Sequence, residues 1–502
     1  MHDLAVQLQS VADWITLHLT MWVLVGAGLF LTVRTRGVQV RHLGDMVVQV
    51  VGSRRGSHGG ISSFQAFTIS LAARVGIGNV FGVAAALILG GPGAVFWMWG
   101  VALVGMATAF FEATLAQVFK VRHDDGTFRG GPAYYMARGM HSRPVGVLFA
   151  ALTIITCGFS IIMVQSNAIA GVIGPGSALH LPLPVAAAVL FALSAVVILG
   201  GIRSVARVTE WMAPLMALVY LAVGLVIVVL RIDHLPEVLA TIVTSAFGPR
   251  EFAGGVTGGI VAALVNGTKR GLFSNEAGQG TAPNAAATAT VAHPVQQGFI
   301  QSLGVFVDTI LVCSMTAFII LDSGVYIPGT LAPDAAGGLT QQAVAAVLGD
   351  WTAVPMAVII FVLAYSSVIA AATYSEVNMS FISSRPAWRW LPRTVSTVST
   401  ALGALLTLEL VWNTVDIAMA VMTLTNLVAL LVLSRWGVGA LRDWEAQRRA
   451  GVAEPVFVAE GNPLLPGRLD TDVWTRAATR SGTQAPRAVT DDHAPALMAA
   501  RP

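Results

Sequence analysis

Eleven long apolar stretches, separated by short polar loops, constrain this chain more than any other feature. They lie near 14–33, 64–90, 94–119, 146–173, 184–201, 209–230, 255–288, 298–322, 352–382, 393–408 and 412–434. A helix needs about 20 mostly apolar residues to cross a bilayer, so the pattern predicts an all-α polytopic membrane protein with eleven transmembrane helices. Composition agrees: 55% of the 502 residues are hydrophobic and only 11% are charged, with a mean hydropathy of +0.73. A soluble chain carries about 25% charged residues to cover its surface. A surface this poor in charge faces lipid. The isoelectric point near 9.1 does not indicate nucleic acid, because the basic residues sit in short loops between apolar spans.

Those loops orient the chain. Arg34, Arg36, Arg41, Arg54 and Arg55 follow the first span, and Lys120, Arg122, Arg129, Arg138 and Arg143 follow the third. Arg203 and Arg207 follow the fifth, Arg385, Arg389 and Arg393 the ninth, and Arg435 and Arg442 the last. Loops 91–93, 174–183, 323–351 and 409–411 hold no Lys or Arg, while 231–254 is mixed, with Arg231, Asp233, Glu237, Arg250 and Glu251. Positive charge stays cytoplasmic, which puts the N-terminus outside and the C-terminus inside. The first span has acidic rather than basic residues before it, so no cleavable signal is expected. From 443 to 502 the chain turns to Pro, Ala, Arg, Asp and Thr without periodicity and is expected to be a solvated, largely disordered tail. Cys157 and Cys313 each lie within apolar runs and imply neither disulfide nor metal site.

Two spans carry residues that an unbroken membrane helix disfavours. The second contains Ala73-Arg74-Val75-Gly76-Ile77-Gly78-Asn79. The seventh contains Asn266-Gly267-Thr268-Lys269-Arg270-Gly271, then Ser274-Asn275-Glu276-Ala277-Gly278-Gln279-Gly280-Thr281. Glycine in a helix interior costs about 1 kcal/mol, and a charge at mid-bilayer depth roughly 2.5–3.5 kcal/mol. Irregular backbone survives there only where it lines a cavity inside the protein. Close helix packing by small residues explains glycines alone, but not glycines with embedded charges.

With the first span (1–36) set aside as an extra helix, the interrupted spans open two groups of five, 64–230 and 255–434. An odd number of spans makes the second group enter from the opposite side, an inverted repeat whose paired broken helices mark a midplane substrate site. Half-helix N-termini offer free N–H groups to a carboxylate, and freed carbonyls suit a sodium ion. An amino acid with sodium satisfies both polarities.

The run Ser70–Asn79, its continuation Gly90-Gly-Pro-Gly-Ala-Val-Phe-Trp-Met-Trp99, and the run Lys269–Pro283 closely resemble the alanine/glycine:cation symporter family over roughly 15–440. The resemblance implies a leucine-transporter-type five-plus-five fold, discontinuous in its first and sixth core helices. It also implies sodium-coupled uptake of alanine or glycine across the bacterial plasma membrane, with no cofactor beyond sodium as coupling ion. Carried over by position, it places the substrate carboxylate on the backbone of Gly76, Ile77 and Gly78, and gives Asn79 to sodium or the substrate ammonium. Gln165 should face the pocket, with Phe273, Ser274 and Asn275 on the opposite wall. Fold analogy places a sodium between carbonyls near Ala72 and Val75 and the hydroxyls of Ser366 and Ser367, although paired serines also back-bond to their own helix. The chain departs from the family at Ile77, where a small hydroxyl residue is usual, and at Ala370-Ala371, where Gly-Trp is common. If that Trp caps the pocket, its loss makes room for a larger amino acid.

The charges inside spans are Arg74, Glu112, Lys269, Arg270, Glu276, Asp308 and Glu376. Buried ions must be paired or face water. Arg74 with Lys269 or Arg270 is expected to pair with Glu276, Glu112 or Glu376 near the cytoplasmic mouth, as a gate or as a static strut. Trp97 and Trp99 are expected to anchor or pack, and His180 and His293 to be solvated at span ends. Asn266-Gly-Thr268 matches a glycosylation pattern at a depth that rules the reading out. No GxxxxGK[ST], HExxH or GxSxG occurs, so ATP drive and intramembrane hydrolysis have no candidate residues. Three rivals remain: a channel, which the internal repeat disfavours, a proton-coupled carrier, and an amino-acid sensor without net transport.

Overall fold

A computed structural model of the protein describes residues 2–53, 61–123, 126–175, 180–247 and 259–477. The expectations that rest on Arg54, Arg55, Arg250, Glu251, the start of the seventh span at 255–258 and the tail 478–502 lie outside these residues. The described chain is mostly helical, with one hairpin of two-residue strands, β1 (Val121–Arg122) with β2 (Phe128–Arg129), and an isolated parallel bridge between Ile61 and Ala289. Its N-terminal helix α1 (His2–Ile15) passes through a π-helical stretch into α2 (Met21–Arg34), and two short helices follow, α3 (Val38–Arg41) and α4 (Leu43–Gly52).

The first interrupted span consists of α5 (Ser63–Arg74) and α6 (Phe81–Gly90), bent by 48°. A Ser62/Gln65 capping box starts it by satisfying two orphan donors. Then come α7 (Gly93–Val118), α8 (Pro132–Gly139), α9 (Arg143–Ile155), α10 (Ile162–Ile173), α11 (Leu183–Ile198), α12 (Ile202–Leu230) and α13 (Leu235–Phe247). The second interrupted span is α14 (Gly259–Asn275) and α15 (Ala282–Ala286). The rest are α16 (Pro294–Val305), α17 (Ser314–Asp322), α18 (Ala336–Leu348), α19 (Ala353–Ile382), α20 (Trp390–Leu405) and α21 (Leu408–Arg449). A π-helical stretch, Thr156–Ile161, joins α9 to α10, and another, Phe306–Cys313, joins α16 to α17.

Among the described residues seven helices are long and apolar enough to cross a membrane, eight when the bent pair counts as one span. The expected fifth and tenth spans are helices of 16 residues, about 24 Å long at 1.5 Å per residue. Polarity is inverted relative to a soluble protein. Val196, Trp211, Leu218 and Val229 are exposed, whereas Arg74, Glu112, Glu276 and Asp308 are buried. An apolar exterior, with the few in-span charges turned into an otherwise apolar core, is the arrangement lipid demands.

Three expectations change here. Asn266–Gly271 is regular helix, and the break is confined to Glu276–Thr281. The glycines of that stretch serve packing: a Cβ on Gly267 would stand 2.5 Å from the Ala94 carbonyl oxygen on α7. The tail expected to begin at 443 is ordered well past that point. Helix α21 runs to Arg449, and Phe457, Val473 and Trp474 are fully buried. Trp474 Nε1 donates to the Gln117 carbonyl at 2.8 Å, and its ring lies 4.7 Å from Lys120 Nζ, which sits 4.1 Å from Phe128 on the other side. Three apolar anchors in a polar segment were enough to fold it back onto the helices. His293, expected to be solvated, is likewise buried, and its Nε2 lies 3.0 Å from the Asp443 carboxylate on α21.

Candidate functional site

The break in the first interrupted span is built by its glycines. The helical bonds end with Val75 N on the Leu71 carbonyl, and Ile77–Asn79 forms a single 3-10 turn before α6 starts at Phe81. A Cβ on Gly76 would stand 2.2 Å from Ser367 Oγ on α19 and 3.3 Å from Gln165 Nε2 on α10. A Cβ on Gly78 would stand 3.0 Å from both Phe273 Cδ1 and Ser274 Cα on α14. Both glycines thus let the unwound backbone touch the walls on either side. Gly76 N donates to Asn79 Oδ1 at 3.0 Å, and Ile77 N lies 3.4 Å from Gln165 Oε1. Gly76, Ile77, Gly78, Asn79, Gln165, Phe273 and Ser274 are therefore neighbours.

On the α19 side, Ser367 Oγ donates to the Ala72 carbonyl at 2.7 Å, and Ser366 Oγ lies 3.4 Å from the same oxygen. Both hydroxyls also reach the Leu363 carbonyl, at 2.8 and 3.2 Å. Beside them Val75 closes α5 as its C-cap. This is a buried cluster of neutral hydroxyl and carbonyl oxygens, the ligand type of a hard monovalent cation.

On the α14 side lies a residue that sequence reasoning recorded only as an in-span charge. Asp308 sits in the π-helical stretch with no exposed surface. Asn79 Nδ2 donates to its Oδ1 at 2.7 Å and to its backbone carbonyl at 3.2 Å, and Ser274 Oγ donates to its Oδ2 at 2.8 Å. Thr309 Oγ1 reaches the same Oδ2 at 2.8 Å, and Asn275 Nδ2 reaches Thr309 at 3.3 Å. One carboxylate thereby ties the break in the first span to the end of α14. Its signal in the sequence was an acid within an apolar run; its partners come from two other helices and have no fixed spacing to it.

The second break is shaped by a different acid. Glu276 adopts the left-handed region (φ 56°), as do Gly278 and Gly280 (φ 87° and 85°). Glu112 on α7 accepts from Gly278 N at 3.1 Å, Gly280 N at 2.8 Å and Asn426 Nδ2 at 2.6 Å. A carboxylate satisfying successive free N–H groups is the arrangement of an anion nest.

A sequence profile of the sodium:alanine symporter family matches residues 1–459. The chain belongs to the sodium:alanine symporter family. It is 43% identical over 464 residues to the amino-acid carrier protein AlsT of Bacillus subtilis strain 168, covering 92% of this chain and 96% of that one. It is 39% identical to the probable sodium/glutamine symporter GlnT of the same organism, covering 94% and 96%. With the sodium/alanine symporter AgcS of Methanococcus maripaludis it shares 36% over 82% and 90%. The crystal structure of MhsT in complex with L-phenylalanine is similar in fold, with a TM-score of 0.55 at 15% identity, covering 79% of this chain and 99% of that one.

The charges of this symporter-family chain pair differently from expectation. Lys269 reaches Asp13 at 2.6 Å and Asp416 at 3.4 Å, and Arg270 reaches Asp416 at 2.5 Å with its guanidinium 4.5 Å from the Trp412 ring. Neither pairs with Glu276, Glu112 or Glu376, because both precede the break while Glu276 follows it. Glu376 instead pairs with Arg393, at 2.7 and 3.1 Å. Arg74 donates to the Gln301 carbonyl at 3.1 Å and makes no ion pair among the described residues. Glu276 accepts from Thr281 Oγ1 at 2.9 Å. Trp99 packs against Phe96 and donates to Ser314 Oγ at 2.8 Å. Both cysteines are free and buried.

Proposed function

We propose that this chain carries a small neutral amino acid into the cell together with sodium, by alternating access of one site formed where its two interrupted helices meet. The observation that carries the reading is the convergence of both interruptions on shared side chains: Asn79 and Ser274 meet on Asp308, and Gly76 touches Ser367 and Gln165. The unwound backbone at Gly76, Ile77 and Gly78, whose Gly76 and Ile77 N–H groups here rest on the Asn79 and Gln165 side chains, suits the substrate carboxylate, which takes the place of those side-chain oxygens. Asp308 supplies the fixed negative charge for the ammonium or for a cation. The Ala72, Val75, Ser366 and Ser367 oxygens suit sodium, with the bacterial inner membrane as the setting, the N-terminus outside and the C-terminus cytoplasmic.

In this reading the eleven spans form a five-plus-five inverted repeat behind one extra helix. Lys269 and Arg270, held by Asp13 and Asp416 and beside the Trp412 ring, form an outward-side gate and not the cytoplasmic one expected, because Asp13 precedes the first span on the side that the loop arginines put outside; Arg74 and Glu276 stand on the inward side. The sodium named for AgcS and GlnT supports the coupling ion; the alanine and glutamine named for them bracket substrate size. Ala370-Ala371, both buried and small, keeps a side chain larger than methyl within reach. One sodium moving through 100 mV supplies about 2.3 kcal/mol, enough for useful accumulation.

Asp308 also favours a second reading, proton coupling, because a buried carboxylate between two moving helices is the group a proton would ride. A competition panel of amino acids against labelled alanine in proteoliposomes, with sodium, with potassium, and with a pH gradient alone, tests both. Sodium-dependent competition by small neutral amino acids supports the first, and pH-driven uptake without sodium supports the second. Binding without counterflow means a sensor and rejects both.

A further inference from the structure

Away from the transport site, the ends of α2, α3, α4 and α21 enclose an open cavity of about 710 Å³. Six arginines line it, Arg34, Arg36, Arg41, Arg442, Arg448 and Arg449, against two carboxylates, Asp45 and Glu445. Both carboxylates are already engaged. Glu445 lies 2.6 Å from Arg41 and 3.1 Å from His42 Nε2, and Asp45 lies 2.7 Å from His42 Nδ1. Arg34, Arg36 and Arg442 make no ion pair among the described residues. Guanidinium groups gathered without counter-charge repel one another, and their planar forks match phosphate oxygens.

Position says where that phosphate comes from. Arg34 is the last residue of the apolar helix α2, so the cavity lies where hydrocarbon gives way to headgroups. Phe30, Val33 and Val40, beside the cavity, are all exposed, as are Val47, Val48 and Val51 of α4, whose other face buries Met46. Helix α4 is thus an amphipathic helix of the kind that lies in the membrane interface. A soluble anion would need the arginines but would leave this apolar margin unused; a phospholipid uses both. We propose that this cavity binds a phosphate-bearing anion, the headgroup of an acidic phospholipid, with its acyl chains along Phe30, Val33 and Val40. The site is separate from the proposed transport function and does not depend on it.

Native mass spectrometry of the full chain in detergent tests this, with titration of cardiolipin, phosphatidylglycerol and phosphatidylcholine. An Arg36→Gln/Arg442→Gln variant should bind the two acidic lipids about 30-fold more weakly, at roughly a kcal/mol per arginine, with phosphatidylcholine unchanged. Arg385→Gln, an exposed arginine on a loop of the same basic class, should behave as wild type. Arg34→Gln serves as a second variant should the double one lose monodispersity. A parallel titration with ATP in lipid-free detergent separates the sources. Binding of ATP that the double variant loses, without preference for acidic lipid, would keep the phosphate chemistry and overturn the lipid. Equal acidic-lipid retention by wild type and both variants would overturn the site itself.

Discussion

The Asp308 carboxylate accepts a hydrogen bond from Asn79 at 2.7 Å across 229 residues of sequence. Ser274 binds the second oxygen of the same carboxylate at 2.8 Å, so one acid ties the first helix break to the end of α14, just before the second. Removing its charge in Asp308→Asn leaves a similar shape but places an amide opposite the Asn79 amide. Loss of a charged hydrogen bond in a buried site costs about 3 kcal/mol, which corresponds to roughly 100-fold in rate. Sodium-driven uptake should fall by about that factor in a variant that still inserts and elutes as a single species. Uptake within two-fold of wild type would remove Asp308 from the mechanism.

Ser367→Ala separates ion from substrate. The hydroxyl is 2.7 Å from the Ala72 carbonyl, and the pair contributes two of the oxygens proposed for sodium. The variant should raise the sodium concentration for half-maximal uptake by about 10-fold, on the order of one lost ligand hydrogen-bond equivalent. Substrate affinity at saturating sodium should change little. A shift in substrate dependence alone would reassign the serine to the pocket wall.

Asp416→Asn takes from Arg270 its carboxylate partner and leaves Lys269 with Asp13, which is only partly buried. Breaking a buried pair from one side costs about 3–5 kcal/mol. Such a loss should lower expression and thermal stability, and what protein survives should show faster leak of preloaded substrate if the pair gates access. The observable is efflux from loaded vesicles.

The clasp at the end of the chain makes a stability prediction. Trp474 is fully buried between Phe457, Lys120 and the Gln117 carbonyl. Trp474→Ala should cost about 3–5 kcal/mol locally and expose residues 450–477 to protease. Uptake measured in the same preparation should persist. Unchanged proteolysis would contradict a docked tail.

On the opposite ends of the helices, His234 Nδ1 sits 2.6 Å from Asp322. That hydrogen bond, with the nearby Asp233 charge, raises the His234 pKa above its ordinary value of 6.5. A raised folded pKa gives stability that is complete below pH 6.5 and fades as pH climbs through the raised value. Melting temperature should therefore drop between pH 6 and pH 8 by more in wild type than in His234→Gln, and identical drops would show that the pair contributes nothing.

How much of this was legible beforehand follows from which signals are local. Apolar spans, arginine-rich loops and the Arg74–Asn79 interruption are written in contiguous residues, and the family motifs lie in the same runs. Pairing across helices is not local. Arg270 was expected against a glutamate, yet its partner Asp416 lies in the last span, visible as an acid in an apolar run but with no spacing to connect the two. The break in the second span is narrower than the sequence suggests, Glu276–Thr281 without Asn266–Gly271, because glycine reads alike for unwinding and for close packing. Only the Ala94 backbone, 2.5 Å from a Cβ on Gly267, distinguishes them. The tail failed for a similar reason: Phe457 and Trp474 are too sparse to register as a pattern, yet two aromatic anchors suffice when a helical surface waits for them.

The most direct test is concentrative uptake of labelled alanine into proteoliposomes holding potassium inside and facing sodium outside, compared with equal sodium on both sides. A single site at the two breaks, holding substrate and ion together, predicts a transient internal concentration above the external one only under the sodium gradient, abolished in Asp308→Asn. Equal, non-concentrative entry under both conditions, or accumulation that survives the variant, would contradict it.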